Sequence, residues 1–348
     1  MTDSSGTATL GGLTAIVPAY NEAASIAATI RSLQGQTRPI DAIIVVDDCS
    51  TDDTAAIARA MGVTVLTPPV NTGSKAGAQT FALDFVTTEF CMAIDADTEL
   101  APDAVERIMT ALDEPSIAAA CGFVLPRHVR TVWERGRYVE YLFAFTFFKP
   151  IQDFFGRPMI SSGCFSAYRT AVLRTVGGWS NRTMAEDMDL TWTLYQRGHG
   201  VRFVPEAICY PIEPHDLHFL GKQLKRWSHG FVQNVRTHWR GLLGQPYLRS
   251  IITVALWDAT VASLAYLVVL PLLAIFVHPL FLLGYVIDLP LVAVPAIVKA
   301  RQRGELGRVL LSLPCFPLLR VVNAVHMLRA VWSEVVLGRS LLVYEKGH

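Results

Sequence analysis

The chain has 348 residues, of which 51% are hydrophobic and 17% charged, against about 25% charged in ordinary soluble domains, and its mean hydropathy is +0.35. This composition excludes dominant disorder and a wholly soluble protein, so part of the chain belongs in lipid. Lys plus Arg equals Asp plus Glu at 30 each, which leaves no overall positive field to hold nucleic acid.

Residues 1–12 are small and polar and read as a flexible N-terminus. They lack the basic start and apolar stretch of a secretory signal, which places the following half in the cytoplasm. The cysteines, Cys49, Cys91, Cys121, Cys164, Cys209 and Cys315, stand singly, without the close pairs of zinc or dithiol sites. That suits a reducing compartment.

Short apolar runs predict strands at Leu13–Pro18, Ala42–Asp47, Val63–Thr67 and Phe90–Asp95, as expected of buried parallel strands. Helices fall between them. One runs from Glu22 to Leu33 behind Asn21 as N-cap, and one starts at Asp52 behind Ser50 and Thr51, with acidic residues favoured in its first turn. A β–α–β–α alternation gives a mostly parallel, Rossmann-like α/β sheet covered by helices, whose ligands sit beyond the C-terminal strand ends.

That edge carries the acidic residues. Asp47-Asp48 ends one strand and Asp95-Ala96-Asp97 another. Clustered carboxylates at strand ends suit a divalent cation that also binds phosphate oxygens; each pair alone is equally a turn or cap, and for Asp47 the cap is preferred. Two such ends side by side repel unless a ligand or metal lies between them. Asn71-Thr-Gly-Ser-Lys75-Ala-Gly77 is a small-residue loop before a helix. Its backbone and lysine suit a phosphate or base edge, although it is not a P-loop. Glu186-Asp187 opens a helix running to Gln196, where a carboxylate caps the helix or acts as a general base.

Val132–Phe155, with Tyr138, Phe143, Phe147 and Phe155, is too aromatic for a surface helix and too interrupted by charge to span a bilayer. It reads as interfacial or as packed on the sheet. Residues 217–240, mixing Lys222, Lys225, Arg226 and Arg236 with Trp227, Phe231 and Trp239, have the pattern of a helix along an anionic membrane surface.

A composition break near Gly241–Arg249 separates these segments from a membrane region, 251–338. Ile251–Val277 and Leu280–Val298 each meet the length of a spanning helix. They are joined by His278-Pro279 as a tight hairpin, and the flanking Arg and Lys place both its ends in the cytoplasm. Val309–Trp332 spans, re-enters or lies in the interface, and residues 339–348 form a tail. Asp258 and Asp288 lie inside the hairpin helices and are expected to pair with Arg320 or Arg329. No internal repeat supports a transporter.

Taken together, Pro18-Ala-Tyr20-Asn-Glu22, Val46-Asp-Asp48-Cys-Ser50, Asn71 to Gly77, Asp95-Ala-Asp97, Ala185-Glu-Asp187 and Gln223-Leu-Lys-Arg226-Trp227 resemble the ordered motifs of family 2 glycosyltransferases. The likeness is to the membrane β-glycan synthases of hyaluronan, chitin, cellulose and poly-N-acetylglucosamine. It covers roughly residues 13–240, and Q-x-x-R-W after E-D is its most discriminating part.

The resemblance implies a GT-A catalytic domain over 13–216, an interfacial helix over 217–240 and an integral protein of the cell membrane. It implies an inverting, metal-dependent enzyme taking a nucleotide sugar, UDP-linked, to a glycan, lipid or protein acceptor, either processively or one or a few sugars at a time. Asp48, with Tyr20, Glu22 and Lys75, would hold the nucleotide. Asp95 would approach the ribose or diphosphate, and Asp97 with Asp95 would bind Mn2+ or Mg2+. Asp187 would be the base, and Gln223, Arg226 and Trp227 would close over donor and acceptor. Cys164, Glu186 and Trp227 fall on the acceptor side, the first within Ser161–Arg169.

Ala185 replaces the threonine usual before E-D, and no span precedes the domain. Two or three spans make a one-chain polymer pore doubtful, so either several copies build one or transfer is limited. Transfer to a polyprenyl phosphate is the rival within the class, and a non-enzymatic membrane scaffold the rival outside it.

Overall fold

The computed structural model describes residues 11–341; the expectations for residues 1–10 and 342–348 lie outside them. Eight strands form one sheet in the order β3-β2-β1-β4-β7-β6-β8-β5. They are β1 (Leu13–Ala19), β2 (Ala42–Asp47), β3 (Thr64–Leu66), β4 (Phe90–Ile94), β5 (Glu99–Leu100), β6 (Ile117–Val124), β7 (Phe165–Arg169) and β8 (Gly200–Tyr210). The half built from β1 to β4 is parallel. Beyond it the sheet is mixed, because β7 runs antiparallel to β4 and β6, β8 is parallel to β6 and β5 antiparallel to β8.

Successive strand residues point to opposite faces, and both faces are covered. Leu13, Ala15 and Val17 of β1 and Phe90, Met92 and Ile94 of β4 pack on one side with α1 (Ile26–Gln34). Ile16, Cys91 and Ala93 pack on the other with α3 (Lys75–Leu83) and α8 (Glu186–Gln196). Short helices α2 (Thr54–Ala60), α4 (Ala104–Thr110) and α7 (Thr170–Thr175) complete the crossovers.

The first expected helix starts a turn late, at Ile26, with Ser25 as N-cap. Asn21 does not cap it. This residue adopts a left-handed φ of 54° and turns its side chain away, accepting the Thr51 N–H at 2.8 Å while its own N–H donates to Ser50 Oγ at 2.9 Å. The bond between neighbouring loops wins over the local cap. The second helix likewise begins late, at Thr54, whose N–H donates to Asp52 Oδ1 at 3.0 Å.

Residues 132–154 form α5 (Val132–Phe143), a π-helical turn and α6 (Lys149–Phe154). Of the two readings of this segment, its first part takes the packed one: Tyr138, Val139, Leu142 and Phe143 lie in the core. Val132 at its start and Phe148, Ile151, Phe154 and Phe155 toward its end are the exposed large apolar side chains. α9 (Leu217–His238) opens with Asp216 accepting the Phe219 N–H at 2.8 Å.

Three helices, Pro246–Phe276, Pro279–Gln302 and Leu306–Val336, are long and apolar enough to cross a membrane. The third is continuous through Pro314 and Pro317 by way of a 3-10 turn at Leu313–Cys315. Most of their apolar side chains face outward, which fits lipid contact. Val292, Ala296 and Phe316 dock on the core at one face of the sheet, and Leu248, Ile252 and Ala330 at the other. Arg320 reaches Asp258 at 3.3 Å and Asp288 at 3.1 Å, so one guanidinium joins all three helices.

Candidate active site

The C-terminal ends of β2 and β4 carry Asp47-Asp48 and Asp95-Ala96-Asp97. They are not side by side, because β1 lies between the two strands. The expected repulsion is also relieved by local partners. Asp47 Oδ1 accepts the Ser50 N–H at 3.2 Å, a turn bond in place of the helix cap expected of it, since α2 starts only at Thr54 with Asp53 at its N-cap position. Asp48 is buried and accepts from Thr72 N–H at 2.7 Å and Thr72 Oγ at 2.9 Å, while Asn71 donates to its carbonyl at 2.6 Å. The Asn71–Gly77 loop is thus folded onto Asp48, and Ser74 caps α3 by accepting the Gly77 N–H at 3.0 Å. Glu22 accepts from Ser25 Oγ at 2.7 Å, and Tyr20 is exposed at the rim.

Lys75, the first residue of α3, joins the strand ends to the opposite wall. Its ammonium ion-pairs with Asp95, donates to the Gly163 carbonyl at 2.9 Å and lies 3.7 Å from Glu186. The Gly163 N–H donates to Asp187 Oδ2 at 2.8 Å, and the Met188 N–H to Asp187 Oδ1 at 2.8 Å. One peptide neighbour, Gly163, therefore holds the cation by its carbonyl and the carboxylate by its amide. A Cβ there would stand 3.0 Å from Asp187 Oδ2 and 3.1 Å from Lys75 Nζ, so any larger residue makes one of these side chains give way by a few tenths of an ångström. Burial raises the Glu186 carboxyl above its usual range, an effect opposed by Lys75 and Arg226 and reinforced by Asp187.

The turn before α8 is braced by α9. Gly230 lies so close that a Cβ on it would fall 2.6 Å from Ala185 Cβ. Asn234 donates to the Ala185 carbonyl at 3.0 Å and Gln233 accepts the Met184 N–H at 2.9 Å. One turn further, His238 Nε2 sits 2.6 Å from Asp189 Oδ1. A small residue at position 185 is what this contact admits.

Cys164 and Glu186, expected on the acceptor side, both stand next to the Asp95 and Lys75 pair. The Cys164 thiol turns inward, 3.9 Å from Cys209 Sγ, and it is the Cys164 carbonyl that meets the site, accepting the Asp95 N–H at 3.3 Å. Glu186 faces Lys75, on the Asp95 side. Gln223 and Trp227 share one partner: Arg137 donates to Gln223 Oε1 at 2.6 Å and stacks 4.5 Å over the Trp227 ring, so one indole face is covered by protein. Asp97 is steadied by Arg127, which donates to its carbonyl at 2.8 Å and pairs with Glu99 at 3.2 Å. Gly163, Arg127, Arg137 and the α9 brace escaped sequence reading; Arg137 is one of four charged residues in α5, and nothing in their spacing singles it out.

Among the described residues no three His, Cys, Asp or Glu side chains gather as a metal cage. Asp95 and Asp97 alone match the donor set of a hard cation that takes one or two carboxylates and completes its shell with phosphate oxygens and water.

The glycosyl transferase family 2 model matches residues 14–177, the part that holds the strand ends and Gly163. The chain carries a family 2 glycosyltransferase domain. Asp187 and Gln223–Trp227 lie beyond that match. An uncharacterized glycosyltransferase, YaiP, of Escherichia coli (strain K12) is 31% identical over 71% of this chain and 63% of its own length. A poly-beta-1,6-N-acetyl-D-glucosamine synthase of Staphylococcus epidermidis is 26% identical over 63% of this chain and 54% of its own. The chain thus spans less than two thirds of either relative. A mannosyltransferase of Pyrobaculum calidifontis, solved with GDP-Man and Mn2+, has the same fold, with TM-score 0.58, 19% identity and coverage of 91% of this chain and 87% of that one. The sheet and its covering helices therefore have the GT-A fold, and the three long apolar helices follow it.

Proposed function

We propose that this chain is an inverting, metal-dependent membrane glycosyltransferase that moves a sugar from a UDP-linked donor to an acceptor hydroxyl, in the manner of the β-glycan synthases. The observation that carries the reading is the junction at Gly163, where Asp187, Lys75 and, through Lys75, Asp95 and Glu186 are drawn together. Asp48, whose N–H donates to the Ala19 carbonyl at 2.8 Å just before Tyr20, serves the nucleotide together with Tyr20 and Glu22. Asp95 and Asp97 would hold a Mn2+ or Mg2+ ion, which when bound neutralises diphosphate charge.

Asp187, oriented by two backbone N–H groups, takes the proton of the acceptor hydroxyl. The acceptor oxygen forms its bond to the anomeric carbon as the bond from that carbon to the diphosphate breaks. Lys75 and Arg226 offset the charge that develops on the leaving group. Gln223 and the open part of Trp227 face the acceptor. The membrane helices hold the domain at the bilayer, with its catalytic face in the cytoplasm.

A second reading, limited transfer to a lipid, polyprenyl phosphate or protein, is favoured by the three candidate spans among the described residues, which would hold the domain beside lipid. Purified protein in nanodiscs, given Mn2+ or chelator and a panel of UDP- and GDP-sugars, separates these outcomes. Metal-dependent nucleotide release with a long polymer supports a synthase. Release only with an added acceptor supports limited transfer, and no release with any donor supports a scaffold.

A further inference from the structure

A polar cluster where α5, α9 and the third membrane helix meet lies behind Gln223 and Trp227. At its centre is Arg137, 1% exposed. Its guanidinium pairs with Glu140, approaches Glu213 at 3.7 Å, donates to Gln223 Oε1 at 2.6 Å and stacks on Trp227 at 4.5 Å. Tyr141 donates to Glu213 at 2.8 Å. Asn323 of the third membrane helix donates to Glu140 at 3.0 Å. Burial raises the Glu213 carboxyl above its usual range, so the cluster is costly to keep ionised.

An ion group of this kind is a poor source of stability, since apolar side chains of the same volume serve as well or better. The pairing is also incomplete: Arg137 Nε, Glu213 Oε2 and Asn323 Oδ1 are buried without a hydrogen-bond partner, which calls for a reason other than packing. Geometry supplies one. A guanidinium can donate in its plane and stack through its face at once, which an ammonium cannot. Arg137 uses its plane on Gln223 and its face on Trp227, fixing which end of the amide points outward and the tilt of the indole.

We propose that Arg137 is a positioning residue that sets Gln223 and Trp227 for the acceptor and ties their orientation, through Glu140 and Asn323, to the third membrane helix. This rests on the reading of those two residues as acceptor-facing.

The test uses the full chain in nanodiscs, with R137K and the charge-balanced R137M/E140Q/E213Q, and compares three readouts: UDP affinity in Mn2+, donor hydrolysis by water, and transfer with its KM and kcat for acceptor. Both variants are expected to bind UDP and hydrolyse donor within about threefold of wild type, and to lose transfer by about tenfold or more, seen as a raised acceptor KM or a lowered kcat. The triple variant, whose buried charges are gone, is expected to melt no lower than wild type, which keeps the test open where R137K folds poorly. Wild-type transfer in either folded variant overturns the proposal. So does a parallel fall in UDP binding, hydrolysis and transfer, which marks a merely structural role. A wild-type protein that releases no nucleotide from any donor instead refutes the glycosyltransfer reading beneath it.

Discussion

Gly163→Ala is a single methyl group aimed at the centre of the site. The new Cβ would lie 3.0 Å from Asp187 Oδ2 and 3.1 Å from Lys75 Nζ, several tenths of an ångström inside ordinary carbon contact distance. Neither neighbour can withdraw freely, because the same residue accepts from Lys75 at 2.9 Å and donates to Asp187 at 2.8 Å. Relief of the clash therefore stretches one of these bonds or shifts the loop. Overpacking of this sort costs about 1–3 kcal/mol, and misplacing a reacting group by an ångström costs about a hundredfold in rate. Nucleotide release with acceptor, measured beside thermal unfolding in detergent, is expected to show a rate loss of about 30-fold or more with a fall in melting temperature of only a few degrees. Turnover within about threefold of wild type would refute the claim that Gly163 sets the base and the lysine together.

Further outcomes follow from the same geometry. Asp48→Ala frees the Thr72 N–H and hydroxyl and should weaken nucleotide binding by about tenfold or more while sparing the membrane helices, as read by calorimetry with UDP. Arg320→Leu leaves Asp258 and Asp288 without their shared partner and should destabilise by about 3–5 kcal/mol; the neutral triple R320L/D258L/D288L should recover most of the loss in detergent melting. Because burial raises the Glu186 carboxyl, its protonated form favours the fold: that contribution is full below the ordinary glutamate range and is lost as pH rises through the raised value. Glu186→Gln should accordingly gain stability relative to wild type at pH 8 compared with pH 4, and a difference that does not change with pH would contradict the assignment.

Elements whose cause is local were legible. β2 occupies Ala42–Asp47 and α8 runs Glu186–Gln196 as expected, because continuous β-branched runs and acidic helix starts carry their own signals. The Arg320 pairing of the membrane aspartates was likewise readable, since an ionised group in hydrocarbon must find an opposite charge. The entry to α1 was not, because Asn21 is recruited by Ser50 and Thr51 on another loop. Nor was the division of labour around Asp187: Gly163 acts through its own backbone atoms and Asn234 by donating its side-chain amide to the Ala185 carbonyl, neither of which a residue's identity announces. Cys164 shows the limit from the other side, for its carbonyl bonds the Asp95 N–H while its thiol turns toward Cys209.

The central claim is that Asp187 performs the proton transfer within a site whose nucleotide part is built separately. Asp187→Asn keeps the shape and an acceptor oxygen for the Gly163 N–H, and removes the base. Measured together in nanodiscs, sugar transfer should fall by about 100-fold or more, while UDP affinity in Mn2+ stays within about twofold. Transfer close to wild type, or loss of UDP binding in step with transfer, would contradict the account.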